Sequence, residues 1–442
     1  MKRRLNKDLL RLVTEQGPLL MLGILCACFS IMTREPQAET GRPAARALAE
    51  RIIAAVPSPA TALVLAFEGD KEVAFGEAMV ESLEANGFTV LQVVHGGPPA
   101  LREAIEAAES SAKPDVLVSS GKVATLPFIE SFDTTFPKLA DTELFAPQSG
   151  YRSNFLKASN LVNLLNQIAI FAILAIGMTF VIITGGIDLS VGSLVAFSAV
   201  LCTVVIRDFM GGEEAGTSGM LVGCVVAILG CGVAGAFSGA MVTFFRIPPF
   251  IVTLSMMLVA SGLAYIMAGG GTITQVPDTF ILFASGKMIP GVPNAVVLTA
   301  ILYVAAHILM TRTVLGRYIY AVGGNAEAAR LSGVPVRRVL LLVYTLCGLL
   351  AGLGGVIYAS QFNAASARFG EQYELTVIAA VVVGGTSLFG GEGKILGTLV
   401  GSLLLAVIFN GMNLLAIGSY WQKVALGLVI LGAALLDMSK KR

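Results

Sequence analysis

The segment Thr311–Gly333 reads TRTVLGRYIYAVGGNAEAARLSG and lies as a polar island between two long apolar runs. Five arginines fall within Thr311–Val339, whereas the runs on either side are almost free of charge. Lysine and arginine collect in the cytoplasmic loops of membrane proteins. The pattern therefore predicts a cytoplasmic loop, residues 312–338, between two membrane-spanning helices.

The composition of the whole chain agrees with a membrane protein. Of the 442 residues, 55% are hydrophobic and 13% are charged, and the mean hydropathy is +0.80. This balance is typical of a bundle of lipid-facing helices. The net charge of +1 gives no indication of a nucleic-acid partner. The cysteines lie in apolar runs without the spacing of a metal site, so we expect no bound metal.

Apolar segments of about 20 residues recur from Asn160 onward, and each is long enough to cross a hydrocarbon layer of roughly 30 Å. The apolar run Pro18–Met32 adds a first helix, which we interpret as retained rather than cleaved as a signal peptide. About ten spans then place both termini in the cytoplasm, which suits the terminal Lys440–Arg442. The later spans are predicted at residues 164–184, 190–206, 219–242, 250–269, 292–311, 339–360, 374–390, 395–414 and 419–437.

Residues 34–152 have a different character, because acidic and basic residues are frequent there. Short β-rich runs alternate with helical patterns, which predicts βαβ units and a small parallel sheet. The runs are Thr61–Phe67, Phe88–Val94 and Asp115–Ser120, and the helical patterns are Lys71–Asn86 and Pro99–Ser111. We therefore expect three parts: residues 1–33 with the first helix, an inserted periplasmic α/β domain at 34–152, and a transmembrane domain at 153–442.

An ATP-binding loop is absent from the sequence. The Gly-Lys candidate is Gly393-Lys394, but Leu388 occupies the position of the required first glycine and no serine or threonine follows Lys394. The chain is therefore not expected to be an enzyme. We interpret the cytoplasmic loop as a short docking helix through which a separate ATPase drives transport.

A second landmark is Thr184–Ser193, which contains Gly185-Gly186 and the acidic Asp188. A charged residue at membrane depth costs about 2.5–3.5 kcal/mol at a helix centre, so it normally faces a cavity or a partner. One interpretation is a gate or wall of the pathway. The other is an N-cap, with Asp188 or Ser190 starting the next helix. A weakly similar pattern recurs at Val383–Gly391, which suggests two related halves.

Polar side chains inside the apolar runs are candidates for the substrate pathway. The alternative is that each makes a hydrogen bond between helices. No chain of acidic or histidine residues runs through the spans, which disfavours an ion-coupled pump. The pathway or gate candidates are Asn166, Gln167, Thr184, Asp188, Ser190, Thr253, Asn410 and Asn413.

Three segments, Gly177–Ser193, Gly323–Gly333 and Val377–Gly391, together resemble the permease subunits of ribose-type bacterial ABC sugar importers. The resemblance is close over Ser153–Leu436 and loose over Pro18–Thr33. It implies a homodimeric permease in the inner membrane, an ABC ATPase subunit that carries ATP and Mg, and a periplasmic sugar-binding protein. It also implies a coupling helix formed by Gly324, Asn325, Glu327, Ala328, Arg330, Leu331 and Gly333.

The resemblance predicts an all-α polytopic permease subunit that binds no cofactor and translocates a monosaccharide similar to ribose or xylose. The inserted domain departs from the family, whose first two helices are usually joined by a short loop. A nucleoside or a furanose autoinducer remains open as the substrate. An ATP-independent transporter, and a membrane sensor with a ligand-binding outer domain, remain as other classes of function.

Overall fold

The computed structural model describes residues 2–110 and 113–440, with side chains at 17–37, 39–110, 113–148, 150–432 and 435. Lys441, Arg442 and the side chains of the basic N-terminal residues, which support the predicted orientation, lie outside the described residues. The chain forms two compact units. One consists of Met1–Thr33 and Phe155–Arg442, and the other consists of Arg34–Asn154.

Helices make up most of the chain and strands are short. The helices are α1 (Lys2–Met32), α2 (Gly41–Ala55), α3 (Asp70–Glu84), α4 (Pro98–Ser110), α5 (Pro127–Glu130), α6 (Phe132–Thr135), α7 (Ala158–Ile183), α8 (Val191–Phe209), α9 (Thr217–Phe244), α10 (Pro249–Ala268), α11 (Leu282–Ser285), α12 (Asn294–Arg312), α13 (Val314–Gly324), α14 (Ala326–Leu331), α15 (Val336–Phe362), α16 (Tyr373–Val383), α17 (Ile395–Leu414) and α18 (Ser419–Lys440). The strands are β1 (Arg34–Ala38), β2 (Thr61–Ala66), β3 (Thr89–His95), β4 (Val116–Ser119), β5 (Glu143–Phe145), β6 (Ser149–Ser153), β7 (Thr272–Ile273) and β8 (Ala365–Ser366).

Seven helices within the described residues are long and apolar enough to cross a membrane, namely α7, α8, α9, α10, α12, α15 and α17. The shorter apolar helices Gly17–Met32 and Tyr373–Val383 accompany them. A single helix over the predicted span 374–390 is wrong, because α16 already ends at Val383. Gly384 and Gly385 follow, and Gly385 has a φ of 91°, which a helix does not permit.

Glycines let α15 pack closely against α9. A Cβ at Gly235 would meet the carbonyl of Tyr344, and a Cβ at Gly348 would meet the carbonyl of Cys231. Small residues at helix interfaces allow backbones to approach each other in lipid, where no hydrophobic force drives helices together. This contact fixes α15, which carries part of the candidate site.

The Arg34–Asn154 unit is built on a parallel sheet with the strand order β3-β2-β4-β5. Strands β2, β3 and β4 coincide within two residues with the runs predicted as strands. Buried clusters lie on both faces of the sheet, one with Phe75 and Met79 and the other with Leu101 and Ile105. Helix α2, strand β5 and the antiparallel pair β1–β6 were not predicted.

Candidate translocation and coupling site

The segment between α7 and α8 interrupts the helical backbone inside the membrane unit. Gly185 has a φ of 81°, which favours glycine, and Asp188 is fully buried. One oxygen of the Asp188 carboxylate, Oδ1, accepts hydrogen bonds from the Ser190 backbone N–H at 2.9 Å and from its hydroxyl at 2.6 Å. The other oxygen, Oδ2, is buried and meets no nitrogen or oxygen donor among the described residues, while the Cys347 thiol is close enough to interact with the carboxylate. The carboxylate therefore closes a local turn.

The two interpretations of this motif are compatible with each other. Ser190 occupies the N-cap position of α8, although its own side chain makes no capping hydrogen bond. Asp188 accepts from the backbone N–H two residues ahead, which closes an Asx turn at the start of the helix. The gate interpretation stays a prediction.

Two neighbouring helices contact this broken segment. The Tyr344 hydroxyl of α15 lies against Gly186, and a Cβ at Gly186 would collide with this hydroxyl. The Tyr344 hydroxyl is also buried without a hydrogen-bond partner in the described residues. From α10, the Thr253 hydroxyl lies 3.2 Å from the carbonyl of Ile187 and 3.0 Å from that of Pro249. The segment is thus held between α10 and α15, and buried polar groups are concentrated beside it.

The two similar glycine motifs predicted from the sequence contact each other. The backbone N–H of Gly391 donates to the carbonyl of Ile183 at 2.9 Å. A Cβ at Gly390 would lie 3.1 Å from Gly185 and 3.0 Å from the carbonyl of Gly323. A Cβ at Gly323 would collide with the Ile183 carbonyl and the Gly391 nitrogen. The C-terminal end of α13 is therefore packed directly on both motifs.

The cytoplasmic loop predicted at 312–338 contains two helices rather than one. Thr313 caps α13, since its hydroxyl accepts a hydrogen bond from the Gly316 N–H at 3.2 Å. Asn325 caps α14, because its side-chain oxygen accepts from the N–H groups of Glu327 at 3.0 Å and Ala328 at 2.9 Å. Gly324 belongs to the end of α13, so the docking helix expected from Gly324 begins two residues later, at Ala326.

Helix α14 presents a polar and an apolar group to its surroundings. Arg330 donates to Glu327 in an exposed ion pair, with Nε to Oε2 at 3.1 Å, and this lowers the pKa of the Glu327 carboxyl. Leu331 is 76% exposed, whereas Ala329 packs inward. Gly333 ends the segment with a φ of 84°. An exposed leucine beside an ion pair is a surface suited to a protein partner.

The remaining predicted pathway residues do not gather around Asp188. Asn410 and Asn160 exchange two hydrogen bonds, at 3.0 and 2.9 Å, which join α17 to α7. The Asn413 side chain accepts from Gln422 at 2.7 Å. The Thr184 hydroxyl donates to the carbonyl of Val181 at 2.8 Å. These side chains make hydrogen bonds within the bundle, which was the alternative interpretation.

Asn166 and Gln167 differ from these residues. The backbone carbonyl of Asn166 accepts a hydrogen bond from the Gln361 side chain at 3.2 Å, while its own Oδ1 is buried without a partner in the described part of the chain. The Gln167 side chain is exposed on α7. The hydrogen bond from Gln361 to Asn166 does not involve the Asp188 turn.

A cavity of about 380 Å³ adjoins the first turn of α8, and the sequence did not indicate it. It lies between α8, α10 and the segment that joins α15 to α16, and it is partly open to the surroundings. Left-handed backbone at Asn363, Gly370 and Gln372 shapes that segment. Such backbone at non-glycine residues leaves no reliable trace in a sequence. The polar or aromatic side chains that line the cavity are Ser193, Ser261, Tyr265, Arg368, Phe369, Glu371, Gln372 and Glu374.

No cluster of histidine, cysteine, aspartate and glutamate in the described residues has the arrangement of a metal site. The site consists of a buried turn, a cavity beside it and an exposed helix behind it. This arrangement is suited to passing a solute and to transmitting movement.

Comparison with known proteins identifies the family. The family model described as branched-chain amino acid transport system / permease component matches residues 160–434. The ribose import permease protein RbsC of Escherichia coli K12 is 43% identical over 302 residues, which cover 67% of this chain and 91% of that protein. RbsC of Bacillus subtilis is 42% identical over 289 residues, which cover 65% and 87%.

The D-allose transport system permease protein AlsC of Escherichia coli is 33% identical over 283 residues, which cover 64% of this chain and 84% of that protein. No solved structure matches significantly. The matched region includes the Asp188 turn, both glycine motifs and the helices α13 and α14. The resemblance found in the sequence is thereby confirmed: the chain belongs to the permease components of ribose-type ABC importers, and it is a transport subunit of the cell membrane rather than an enzyme.

Proposed function

We propose that this chain forms the membrane pathway of an ATP-driven importer for a monosaccharide similar to ribose or xylose. A periplasmic binding protein delivers the sugar, a second copy of the chain completes the pathway, and an ABC ATPase subunit carries ATP and Mg. The names of the relatives support this substrate class, because they refer to import of ribose and transport of D-allose.

The observation that carries the proposal is the contact between α13 and the two glycine motifs. A force applied to α14 reaches α13 one residue away, since Asn325 separates the two helices. Gly323 of α13 is in backbone contact with Ile183 and Gly391, and Ile183 ends the helix that leads into the Asp188 turn. A rigid chain of contacts can transmit a nucleotide-dependent bias to a two-state bundle.

We infer that Gly324, Asn325, Glu327, Ala328, Arg330, Leu331 and Gly333 form the surface that docks the ATPase. The exposed ion pair and the exposed Leu331 support this assignment, and the asparagine cap holds the helix in place. The flanking arginines Arg312, Arg317, Arg337 and Arg338 act as cytoplasmic anchors of the spans.

We further propose about ten membrane crossings. Besides the seven long apolar helices, these are α1, α18 and the segment 373–390, in which α16 covers 11 residues and the glycine motif completes the crossing. Both termini then lie in the cytoplasm. One crossing by α1 places the Arg34–Asn154 unit in the periplasm, as an α/β domain inserted between the first two spans. Within the pathway, Asp188 and Ser190 form the gate with Thr253 beside them, and Asn166 and Gln167 remain candidates on α7.

The coupling role is tested by exchanging the two charges of α14. The double variant Glu327→Lys with Arg330→Glu keeps an ion pair within the helix but inverts the charges that a partner meets. We expect loss of sugar uptake, while the protein still reaches the membrane. Arg317→Gln is the control, because it changes charge in the same loop without touching α14.

Two measurements accompany this test. Uptake of labelled sugar is followed in cells, and retention of the ATPase is followed during purification of the permease. We expect the double variant to lose both, and the control to keep both. Normal uptake by the double variant would disprove the coupling role of α14.

A further inference from the structure

We propose that the cavity beside the first turn of α8 is a sugar-holding site within the permease itself. Its ligand is a single neutral monosaccharide, held through its hydroxyl groups. This inference rests on the proposed function, and it adds a contact site for the substrate that the family assignment does not provide.

The volume of the cavity sets the size of the ligand. At about 380 Å³ it lies near the lower end of the roughly 300–1,000 Å³ that ligand sites occupy. One monosaccharide fits in this space.

The polar lining matches a sugar because it offers both donors and acceptors. Ser193 of α8 and Ser261 of α10 carry hydroxyls that donate and accept, the Arg368 guanidinium donates, and the Glu374 carboxylate accepts. Each sugar hydroxyl needs both kinds of partner. Gln372 adds an amide of mixed character.

The charged groups that line the cavity do not form ion pairs with one another. Within the described residues, Arg368, Glu371 and Glu374 take part in no ion pair, although all three line the same cavity. Their two negative charges against one positive charge disfavour a phosphorylated sugar. The ligand class is therefore a neutral polyol.

The apolar part of the lining includes the aromatic rings of Tyr265 and Phe369. Phe369 is fixed from behind by Tyr358, with ring centroids 4.4 Å apart, and Tyr358 in turn contacts Tyr373 at 5.7 Å. Ligand sites combine such rigid apolar walls with a few placed polar groups. A sugar ring presents apolar C–H groups to a wall of this kind.

The loop beside the cavity begins and ends with left-handed residues. Asn363 ends α15 with a φ of 48°, and Gln372 precedes α16 with a φ of 67°. The antiparallel pair of β7 and β8, with Thr272 opposite Ser366, holds the loop in place.

The floor of the cavity is connected to the Asp188 turn. A Cβ at Gly192, four residues after Asp188, would collide with the Glu374 carboxylate and lie 2.5 Å from the carbonyl of Gly370. Movement of the turn therefore displaces the first turn of α8 and changes the shape of the site. Sugar release is in this way linked to the contacts that lead from α13.

The test measures sugar binding by the full-length permease in lipid nanodiscs, without ATPase or binding protein. Radiolabelled D-ribose, D-xylose and L-arabinose are the probes, with unlabelled ribose 5-phosphate as competitor. The variants are Ser261→Ala and Glu374→Gln. The matched control is Ser255→Ala on the same helix, whose hydroxyl donates to the Ile251 carbonyl at 2.9 Å and does not line the cavity.

We expect saturable binding of at least one neutral sugar by the unaltered protein and by Ser255→Ala. Ser261→Ala and Glu374→Gln should weaken it about tenfold, which corresponds to about 1.4 kcal/mol. Thermal unfolding of each variant shows that it is folded. Ribose 5-phosphate should not compete.

Three results would overturn the proposal: absence of saturable binding by the unaltered protein, equal affinity of Ser261→Ala and Ser255→Ala, or effective competition by the phosphorylated sugar. ATP-dependent uptake is measured in parallel on the complete importer. Uptake without binding by the permease would remove this site and leave the proposed function intact. Absence of sugar uptake by the complete importer would instead contradict the proposed function.

Discussion

Replacing Gly323 with alanine should break the contact between α13 and the two glycine motifs. The new Cβ would collide with the carbonyl oxygen of Ile183 and the nitrogen of Gly391. Both atoms belong to the backbone and are joined by a hydrogen bond of 2.9 Å, so neither can move aside as a side chain would. One of the three segments must shift.

The expected cost follows from this geometry. Overpacking of a tight contact costs about 1–3 kcal/mol. If Gly391 moves away, the lost hydrogen bond adds about 0.5–1.5 kcal/mol. The alanine recovers at most about 0.5–1 kcal/mol from its better helix propensity. Gly323→Ala should therefore lower the free energy of unfolding.

The neighbouring variant Gly324→Ala is a matched control. A Cβ at Gly324 meets no heavy atom within 4 Å in the described structure. Its only expected effect on folding is the small gain in helix propensity. The two substitutions are adjacent and chemically identical, yet they should change stability in opposite directions.

The assay is thermal unfolding of the purified full-length permease in detergent, together with sugar uptake in cells. We expect Gly323→Ala to lower the unfolding midpoint and to reduce uptake about tenfold or more. Gly324→Ala should keep the midpoint of the unaltered protein or raise it, and it is a control for the midpoint alone, because Gly324 belongs to the proposed docking surface. Equal midpoints for the two variants would refute the reasoning.

Three further predictions concern the Asp188 turn, the Asn325 cap of α14 and the Arg34–Asn154 unit. Asp188→Ala should lower the unfolding midpoint, since it leaves the buried Ser190 groups without an acceptor at about 1–3 kcal/mol; Asp188→Asn should restore the midpoint but not uptake, and normal uptake by the asparagine variant would reduce Asp188 to a structural role. Asn325→Ala should speed amide exchange in α14, because it removes a cap worth about 0.5–2 kcal/mol, whereas Asn325→Asp should exchange as the unaltered protein does. The N–H and hydroxyl of Thr61 donate to Asp115 and lower the pKa of its carboxyl. The resulting stabilisation is present above pH 3.8, the ordinary pKa of the carboxyl, and is lost as the pH falls through the lower pKa of the folded state. Amide exchange in β2 of the full chain should therefore accelerate as the pH falls through that lower pKa. An Asp115→Asn variant with the same pH profile as the unaltered protein would contradict this role of Asp115.

The positions of the long apolar helices could be predicted because membrane spanning is a local property. A run of about 20 apolar residues indicates a membrane-spanning helix wherever it occurs in a sequence. The predicted spans for α8, α10, α12 and α17 differ from the structure by a few residues at most. Glu327 and Arg330 are three residues apart in the sequence, which places them on one helical face, and the structure adds the ion pair between them.

The end of α16 was harder to predict. The run 374–390 is apolar enough for one span, but Gly384 and Gly385 end the helix early. A pair of glycines inside an apolar run is compatible with a helix in lipid and with a turn. Close approach of Gly384 to Gly397 and Thr398 accompanies the turn in the structure, and this contact involves a different helix.

The sequence by itself determined the membrane class, the helical spans, the absence of an ATP-binding loop and the family motifs, because each is encoded in composition or in a short run of residues. Only the tertiary structure decided that Gly323 meets Ile183 and Gly391, that Asn410 pairs with Asn160, and that three separate segments border a cavity. The physical reason lies in lipid, where every apolar face is equally well solvated. Which faces meet is settled by small residues and polar pairs that gain their meaning only from a partner distant in sequence.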